Sequence, residues 1–138
     1  MIVKFKRLVR EAVPPRRGSQ QAAGYDLTAI DYRRDPETGV WEYRTGLAVE
    51  LPPGCCGLLM PRSSIYRTGG VLSNGVGLLD SDYRGEILFK FYGDSRPYDV
   101  GQRIGQLLVL NHPAFVLEEA DELSETERGA GGYGSTGK

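Results

Sequence analysis

The stretch GVLSNGVGLLDSDYRGEILFKFY, residues 70–92, indicates which kind of fold this chain adopts. It consists of short apolar or alternating runs, and turn-forming Gly, Asn, Ser and Asp residues separate them. Runs rich in Val, Ile, Leu, Phe and Tyr predict β-strands. The segments SNG and DSDYRG predict tight turns between those strands. This stretch therefore predicts strands joined by short connections.

The same pattern extends along most of the chain, in IVKFKRLV, YDLTAIDY, VWEYRTGLAVEL, CCGLLM, RIGQLLVL and AFVLEE. PETGV, residues 36–40, predicts a hairpin connection, and LPPGC is excluded from a central strand because proline lacks the N–H that a ladder needs. Many short strands at close spacing are typical of a sandwich, jelly roll or barrel. One short helix is expected in RSSIYRTGG, where serines can begin it and Gly69 and Gly70 can end it.

Composition limits the possible functions. The chain has 138 residues, which suits one compact domain, and its net charge of −1 argues against bulk binding to a nucleic-acid backbone. No apolar run is long enough to span a membrane, and the N-terminal residues do not resemble a signal peptide. The adjacent Cys55 and Cys56 are expected to be free thiols in a reducing, cytoplasmic setting. We expect a β domain over residues 1–119 and a separate tail over 120–138.

Three segments carry residues suited to ligand binding or catalysis, and each also has a purely structural interpretation. Arg62 with Ser63 and Ser64 forms a good phosphate site, or else a capped turn with a surface arginine. Asp80 and Asp82 lie where an acid could orient and deprotonate a water, although turns are the commonest place for Asp. The tail RGAGGYGSTGK offers open backbone N–H groups to an anion. Composition alone favours a mobile tail there.

Five motifs occur in order along the chain: AAGYDL (22–27), PRSS (61–64), NGVGLLDSDYRG (74–85), GQRIGQL (101–107) and RGAGGYGSTG (128–137). Any one of them could arise by chance, but the ordered set resembles the trimeric dUTPases, the deoxyuridine triphosphate nucleotidohydrolases. The resemblance implies an all-β, jelly-roll-like domain that forms a homotrimer with active sites between subunits. It also implies a flexible C-terminal arm that closes over the site.

The implied reaction is hydrolysis of dUTP to dUMP and pyrophosphate, which limits uracil incorporation into DNA and supplies dUMP for thymidylate synthesis. By resemblance, Asp80 is the general base that positions the attacking water. Asp26 lies near the phosphates, and Arg103 is a structural partner that pairs with an acid such as Asp26. Mg²⁺ is expected to bind mainly through substrate phosphates and water, supported by Asp26.

The resemblance also assigns substrate contacts. A hairpin carrying Asn74, Gly77 and Leu78 reads the uracil edge, and Tyr83 stacks under the sugar and excludes a 2′-hydroxyl. The groups assigned to the phosphate chain, or to the arm that covers the nucleotide, are Arg62, Ser63, Ser64, Gln106, Arg128, Tyr133, Gly134, Ser135 and Thr136.

Two alternatives stay open at this point. The first is a dCTP deaminase, or a bifunctional deaminase and dUTPase, which shares the fold but uses a glutamate on the strand after the hairpin. Lys90 falls near that place here, and the DSDYRG turn is of the dUTPase kind. The second is a non-enzymatic β-sandwich interaction module, which gives no reason for all five motifs to be intact.

Overall fold

The computed structural model describes residues 1–132, and nearly all of its regular structure is β. A 3₁₀ helix over Ser63–Arg67 is the exception. The strands are short and follow the predicted runs. They are β1 (Lys4–Arg7), β2 (Tyr25–Thr28), β3 (Asp31–Arg34), β4 (Trp41–Arg44), β5 (Leu47–Glu50), β6 (Cys55–Met60), β7 (Val71–Leu72), β8 (Gly77–Leu79), β9 (Leu88–Tyr92) and β10 (Arg103–Asn111).

The strands form three antiparallel sheets. One four-stranded sheet has the order β2-β10-β6-β8, the other has the order β3-β4-β9-β7, and β1 pairs with β5. Leu27, Leu59 and Leu107 from the first four-stranded sheet share one buried core with Phe89 and Phe91 from the second. This arrangement confirms the predicted all-β, jelly-roll-like fold. Within residues 1–132, no helix has the length and apolar character that a membrane crossing requires.

An aromatic cluster fixes the loop that leads into β10. Tyr43 is fully buried on β4, and its hydroxyl donates to the Tyr98 carbonyl at 2.9 Å while accepting from the Tyr98 N–H at 3.0 Å. The Tyr98 ring packs edge-on against Tyr43 and at a tilt against Phe91, with centroids 6.0 and 5.4 Å apart. Aromatic pairs at such distances stabilise a core beyond their buried area. The loop before β10 is therefore held to the core by its backbone and by its ring.

The predicted turns are present, but the start of the 3₁₀ helix differs from the sequence prediction. PETGV connects β3 and β4, where the Val40 carbonyl accepts from the Asp35 N–H at 2.8 Å. Gly69 ends the 3₁₀ helix with φ of 68°, a conformation that favours glycine. The residue before the helix is Arg62, and no side chain caps that end. The expectation that serines cap the helix start is therefore wrong.

The strand expected over AFVLEE is absent from the structure of this segment. After β10, the His112 N–H still donates to the Gly54 carbonyl at 2.9 Å, and Pro113 follows. Since proline has no N–H to continue the ladder, the chain leaves the sheet here. Phe115, Val116 and Leu117 are then 76%, 92% and 88% exposed. The boundary between residues 119 and 120 stays a prediction.

Candidate active site

Asp26 on β2 contacts side chains from two other motifs, so that three of the five motifs meet here. Its carboxylate is buried, with the residue only 5% exposed. Oδ1 accepts from Gln106 Nε2 at 3.0 Å and from Arg62 Nε at 3.3 Å, and Oδ2 accepts from Arg103 Nη1 at 2.9 Å. We call these four residues the Asp26 cluster. The cluster contains the ion pair expected between Arg103 and Asp26.

A β-bulge in β10 makes this cluster possible. Side chains alternate between the two faces of a regular strand, so Arg103 and Gln106, three residues apart, would point to opposite faces. The pairing of β10 with β2 shifts register between Arg103 and Gly105, which inserts one extra residue. Ile104 and Gly105 are consequently buried one after the other. Arg103 and Gln106 can then both reach Asp26.

Gly105 is required by the packing under the bulge. A Cβ at this position would overlap the ring of Phe89, and that ring is itself fully buried. A larger residue could fit only if the ring or the strand moved. Gly105 therefore lets the bulged strand lie directly on the aromatic core.

The second part of the site is an open cavity of about 250 Å³ beside residues 74–83, the segment predicted to form a hairpin, and we call it the hairpin pocket. The expected hairpin pairing is wrong, because β7 pairs with β9 and β8 pairs with β6 in the other four-stranded sheet. The sequence-predicted residues Asn74, Gly77, Leu78, Asp80 and Tyr83 all line it. Asp80 is exposed, and the hydrogen bonds found within residues 1–132 include none to its carboxylate. The Asp80 carboxylate is therefore available to accept a hydrogen bond from a ligand or a water.

Two glycines shape the pocket. A Cβ at Gly77 would lie 3.1 Å from Leu59 Cβ and 3.2 Å from Asn74 Nδ2, so glycine allows the Asn74 amide to lie against the hairpin. A Cβ at Gly85 would overlap the Tyr83 ring. Both glycines are thus needed for the positions of the side chains that face the cavity.

Glu86 is a pocket residue that the sequence analysis missed. Its backbone carbonyl accepts from the Tyr83 hydroxyl at 3.1 Å. Its carboxylate accepts from Arg44 at 3.0 and 3.1 Å and from the Gly46 N–H at 2.7 Å. The hydrogen bond that Arg44 donates to the Glu86 carboxylate raises the pKa of Arg44. Glu86 therefore anchors the end of the turn that positions the Tyr83 ring.

The Asp26 cluster and the hairpin pocket lie apart in one chain. β2, which carries Asp26, and β8, which carries Gly77 and Leu78, are the two edge strands of the same sheet. Three interstrand steps of about 4.8 Å place these edges about 14 Å apart. The structure thus joins the motifs of Asp26, Arg62 and Gln106, and it leaves the hairpin outside this cluster.

The remaining predicted residues lie on the 3₁₀ helix and on the tail. Ser63 is exposed and Ser64 is half-buried, at the start of the helix. Arg128 is exposed, and its Nε donates to the Gly131 carbonyl at 2.8 Å within its own turn. Tyr133, Gly134, Ser135 and Thr136 lie outside the described residues.

Asp26 does not fit the predicted supporting role at a metal ion. Both of its oxygens already accept from guanidinium or amide donors, which would have to leave before a cation could bind. Among residues 1–132, no three His, Cys, Asp or Glu side chains are grouped as a metal site requires. Asp26 instead holds the side chains of Arg62, Arg103 and Gln106 by hydrogen bonds.

A β domain that combines two arginines held by a buried carboxylate with an open polar pocket indicates a class of protein that binds small anionic ligands. The family model for dUTPase matches residues 10–137. The chain belongs to the dUTPase family.

Curated relatives agree with this assignment. Mouse deoxyuridine 5'-triphosphate nucleotidohydrolase is 41% identical over 141 residues, which cover 99% of this chain and 85% of the relative. The deoxyuridine 5'-triphosphate nucleotidohydrolase of Escherichia phage T5 is 39% identical over 147 residues, which cover 99% of this chain and 99% of the relative. The human mitochondrial enzyme is 41% identical over 143 residues, and this chain spans 56% of its length.

Solved structures share the fold. A dUTPase variant of Staphylococcus bacteriophage 80alpha, with dUpNHpp, superposes with a TM-score of 0.86 at 22% identity and covers 99% of each chain. A dUTPase variant of Staphylococcus aureus phage phi11, described with a structural Mg(II) ion, gives a TM-score of 0.73 at 20% identity over 88% of this chain and 98% of that chain.

Proposed function

We propose that this protein hydrolyses dUTP to dUMP and pyrophosphate. The observation that carries the proposal is the hairpin pocket, a cavity of about 250 Å³ where the Asp80 carboxylate, which has no hydrogen-bond partner among residues 1–132, lies beside the Tyr83 ring. Membership of the dUTPase family and the nucleotidohydrolase relatives support the same reaction. No observation favours the deaminase, and Lys90 is engaged in an ion pair with Glu42 at 3.0 Å.

The pocket residues have distinct proposed roles. The Asn74 amide and the hairpin backbone at Gly77 and Leu78 pair with the uracil edge, and a cytosine would leave a mismatched polar pair. Tyr83 stacks under the sugar, where a 2′-hydroxyl would collide with the ring. Asp80 accepts a proton from a water that attacks the α-phosphorus.

The phosphate chain is the proposed ligand of Arg62, Ser63, Ser64 and Gln106. Asp26 fixes two of these side chains, so they need little reorganisation when the substrate binds. Magnesium, held by phosphate oxygens and water, supplies charge neutralisation when bound. The tail, with Arg128, Tyr133, Gly134, Ser135 and Thr136, closes over the nucleotide in this proposal and excludes bulk water.

A homotrimer with active sites between subunits is part of this proposal, and the separation of the two parts within one chain supports shared sites. Because the edges of the sheet lie about 14 Å apart, we propose that the Asp26 cluster of one chain and the hairpin pocket of another act on one nucleotide. A cytoplasmic location is part of the proposal, and the free thiols of Cys55 and Cys56 suit a reducing compartment.

The activity is tested by incubating the protein with dUTP, dCTP, dTTP and UTP in the presence of Mg²⁺ and identifying the products. We expect dUMP and pyrophosphate from dUTP alone. Ammonia released from dCTP would instead establish the deaminase, and a lack of turnover with every nucleotide would favour an interaction module.

Shared sites are tested by mixing two inactive variants, Asp80→Asn and Arg62→Ala, after partial unfolding and refolding together. In mixed oligomers some sites combine an intact Asp80 with an intact Arg62 from another chain, so activity should return. Each variant refolded alone is the control. A mixture as inactive as its components would place each complete site within a single chain.

A further inference from the structure

The ion pair between Arg44 and Glu86 joins the end of β4 to the segment that follows the turn of Asp80 and Tyr83. Arg44 Nε and Nη2 both donate to Glu86 Oε2, and the Gly46 N–H donates to Glu86 Oε1. The Glu86 side chain is only 18% exposed, so these charge-assisted bonds are better shielded from water than those of a surface pair. Glu86 is therefore held by both of its carboxylate oxygens.

The corner between β4 and β5, to which Glu86 is attached, is a fixed part of the core. Thr45 is fully buried, and its hydroxyl donates to the Ile87 carbonyl at 2.7 Å. The Ile87 N–H donates to the Leu47 carbonyl at 2.8 Å. Gly46 has φ of 67°, and a Cβ there would lie within 3 Å of three neighbouring side chains. Glu86 is consequently anchored to a closely packed support.

Glu86 passes this support on to the Tyr83 ring through its backbone. The Tyr83 hydroxyl donates to the Glu86 carbonyl at 3.1 Å, and the ring lies so close to Gly85 that a Cβ there would overlap it. Tyr83 is nevertheless 43% exposed, so packing covers only part of the ring. An exposed ring excludes a substrate group only if it is held in place, because a mobile ring can turn aside.

The backbone of the turn is held in a different way. Arg84 Nη1 donates to the Ser81 carbonyl at 2.7 Å and to the Tyr83 carbonyl at 3.0 Å, and the Tyr83 N–H donates to the Asp80 carbonyl at 3.2 Å. These bonds lie within residues 80–84 and do not involve Glu86. The position of Asp80 and the orientation of the Tyr83 ring therefore depend on separate sets of contacts.

We propose that Arg44 is a positioning residue for sugar selectivity, which acts through Glu86 to hold the Tyr83 ring where it collides with a 2′-hydroxyl. Arg44 does not line the hairpin pocket, and Arg44 and Glu86 lie outside the five sequence motifs. The inference rests on the proposed function, which places the sugar of the nucleotide over Tyr83.

The first test compares dUTP with UTP in an Arg44→Met variant, which removes the guanidinium group and keeps an apolar stem. The ratio of kcat/KM for UTP to kcat/KM for dUTP should rise about tenfold, because the ring can yield to the 2′-hydroxyl. The kcat for dUTP should fall by less than about threefold, since Asp80 is held within its own turn. Arg44→Lys should recover part of the selectivity, because it keeps the charge but loses the fork.

Arg33→Met is the matched control. Arg33 lies on β3 in the same sheet as Arg44, and it donates to the buried carboxylate of Glu42 at 2.8 Å. Neither Arg33 nor Glu42 lines the hairpin pocket. This variant should keep the wild-type ratio between UTP and dUTP. An equal rise in both variants would show that loss of an ion pair in this sheet is enough, and would overturn the assignment to Arg44.

A double-mutant cycle with Tyr83→Phe tests the route from Arg44 to the ring. Tyr83→Phe keeps the ring and removes its bond to the Glu86 carbonyl, so UTP turnover should rise relative to dUTP turnover. Adding Arg44→Met should then change the ratio by less than about twofold, because both changes break the same series of contacts. Effects of Arg44→Met that are as large in Tyr83→Phe as in the wild type would mean that the Tyr83 hydroxyl is not on the route.

Calorimetric titration with dUMP and with UMP separates failure of this inference from failure of the proposed function, because it needs no hydrolysis. If dUTP is hydrolysed but Arg44→Met keeps the wild-type preference for dUTP over UTP and for dUMP over UMP, the role of Arg44 is wrong and the proposed function stands. If dUTP is not hydrolysed but the preference for dUMP over UMP is lost in Arg44→Met, the positioning role stands and the proposed reaction is wrong. A protein that neither hydrolyses dUTP nor binds dUMP would overturn both.

Discussion

The Asp26 cluster and the hairpin pocket hold their carboxylates in opposite ways. Asp26 is 5% exposed and both of its oxygens accept hydrogen bonds from neighbouring side chains. Asp80 is exposed, and its carboxylate has no such partner within residues 1–132. A carboxylate whose oxygens are occupied holds its neighbours in place, whereas a free one can accept a proton. The contrast supports the proposed roles, which are positioning for Asp26 and proton transfer for Asp80.

The largest effect is expected when the free carboxylate is removed. Asp80→Asn should lower kcat by about 10²- to 10⁴-fold, because the amide cannot accept the proton of the attacking water. The free energy of unfolding should change by less than about 0.5 kcal/mol, since the side chain is exposed and has no partner in the part of the chain that the structure describes. Steady-state kinetics with dUTP and urea unfolding measure the two quantities. Turnover that persists would require another base.

The next largest effect is expected when the occupied carboxylate is removed. Asp26→Ala should lower the free energy of unfolding by about 3 kcal/mol, because Arg62 and Arg103 lose their partner in a partly buried setting. It should also weaken dUTP binding, because Gln106 loses its hydrogen bond. Urea unfolding and KM measurements test this prediction.

Glu42→Gln is the matched control, because Glu42 is also a buried carboxylate between two cations, Arg33 and Lys90, and it does not line the hairpin pocket. Glu42→Gln should lose stability and keep its KM for dUTP. An Asp26→Ala variant that behaves in the same way would restrict Asp26 to a structural role.

The sequence was sufficient for features that depend on neighbouring residues. Strands and turns follow from local alternation of apolar and polar residues and from turn-forming residues such as those of PETGV. The resemblance to the family predicted that Asn74, Asp80 and Tyr83 share one pocket, and they do. Features that depend on distant residues could not be predicted. Arg44 and Glu86 are 42 positions apart, and the bulge at Ile104 lies in a run, RIGQLL, that looks like a continuous strand. Pro113 is a local signal against a strand in AFVLEE, because proline has no N–H to donate to a neighbouring strand.

A smaller effect is expected at the bulge that aligns the Asp26 cluster. Gly105→Ala should lower the free energy of unfolding by about 1–3 kcal/mol, because its Cβ would displace the Phe89 ring. Gly18→Ala is the control, since a Cβ there would meet no atom within 4 Å. Urea unfolding of both variants tests the comparison. Equal stability of Gly105→Ala and the wild type would show that the ring moves aside without cost.

The smallest expected effect is the pH dependence of the stability that Glu42 contributes. Hydrogen bonding to Arg33, aided by Lys90, lowers the pKa of Glu42 below its ordinary value of 4.5. A lowered folded pKa contributes stability that is present above pH 4.5 and lost as the pH falls through the folded value. Glu42→Gln should therefore unfold at a lower urea concentration than the wild type at pH 7, and the difference should shrink as the pH falls below 4.5. A difference that stays constant across this range would mean that the ion pairs of Glu42 do not stabilise the fold, and that only its hydrogen-bonding shape matters.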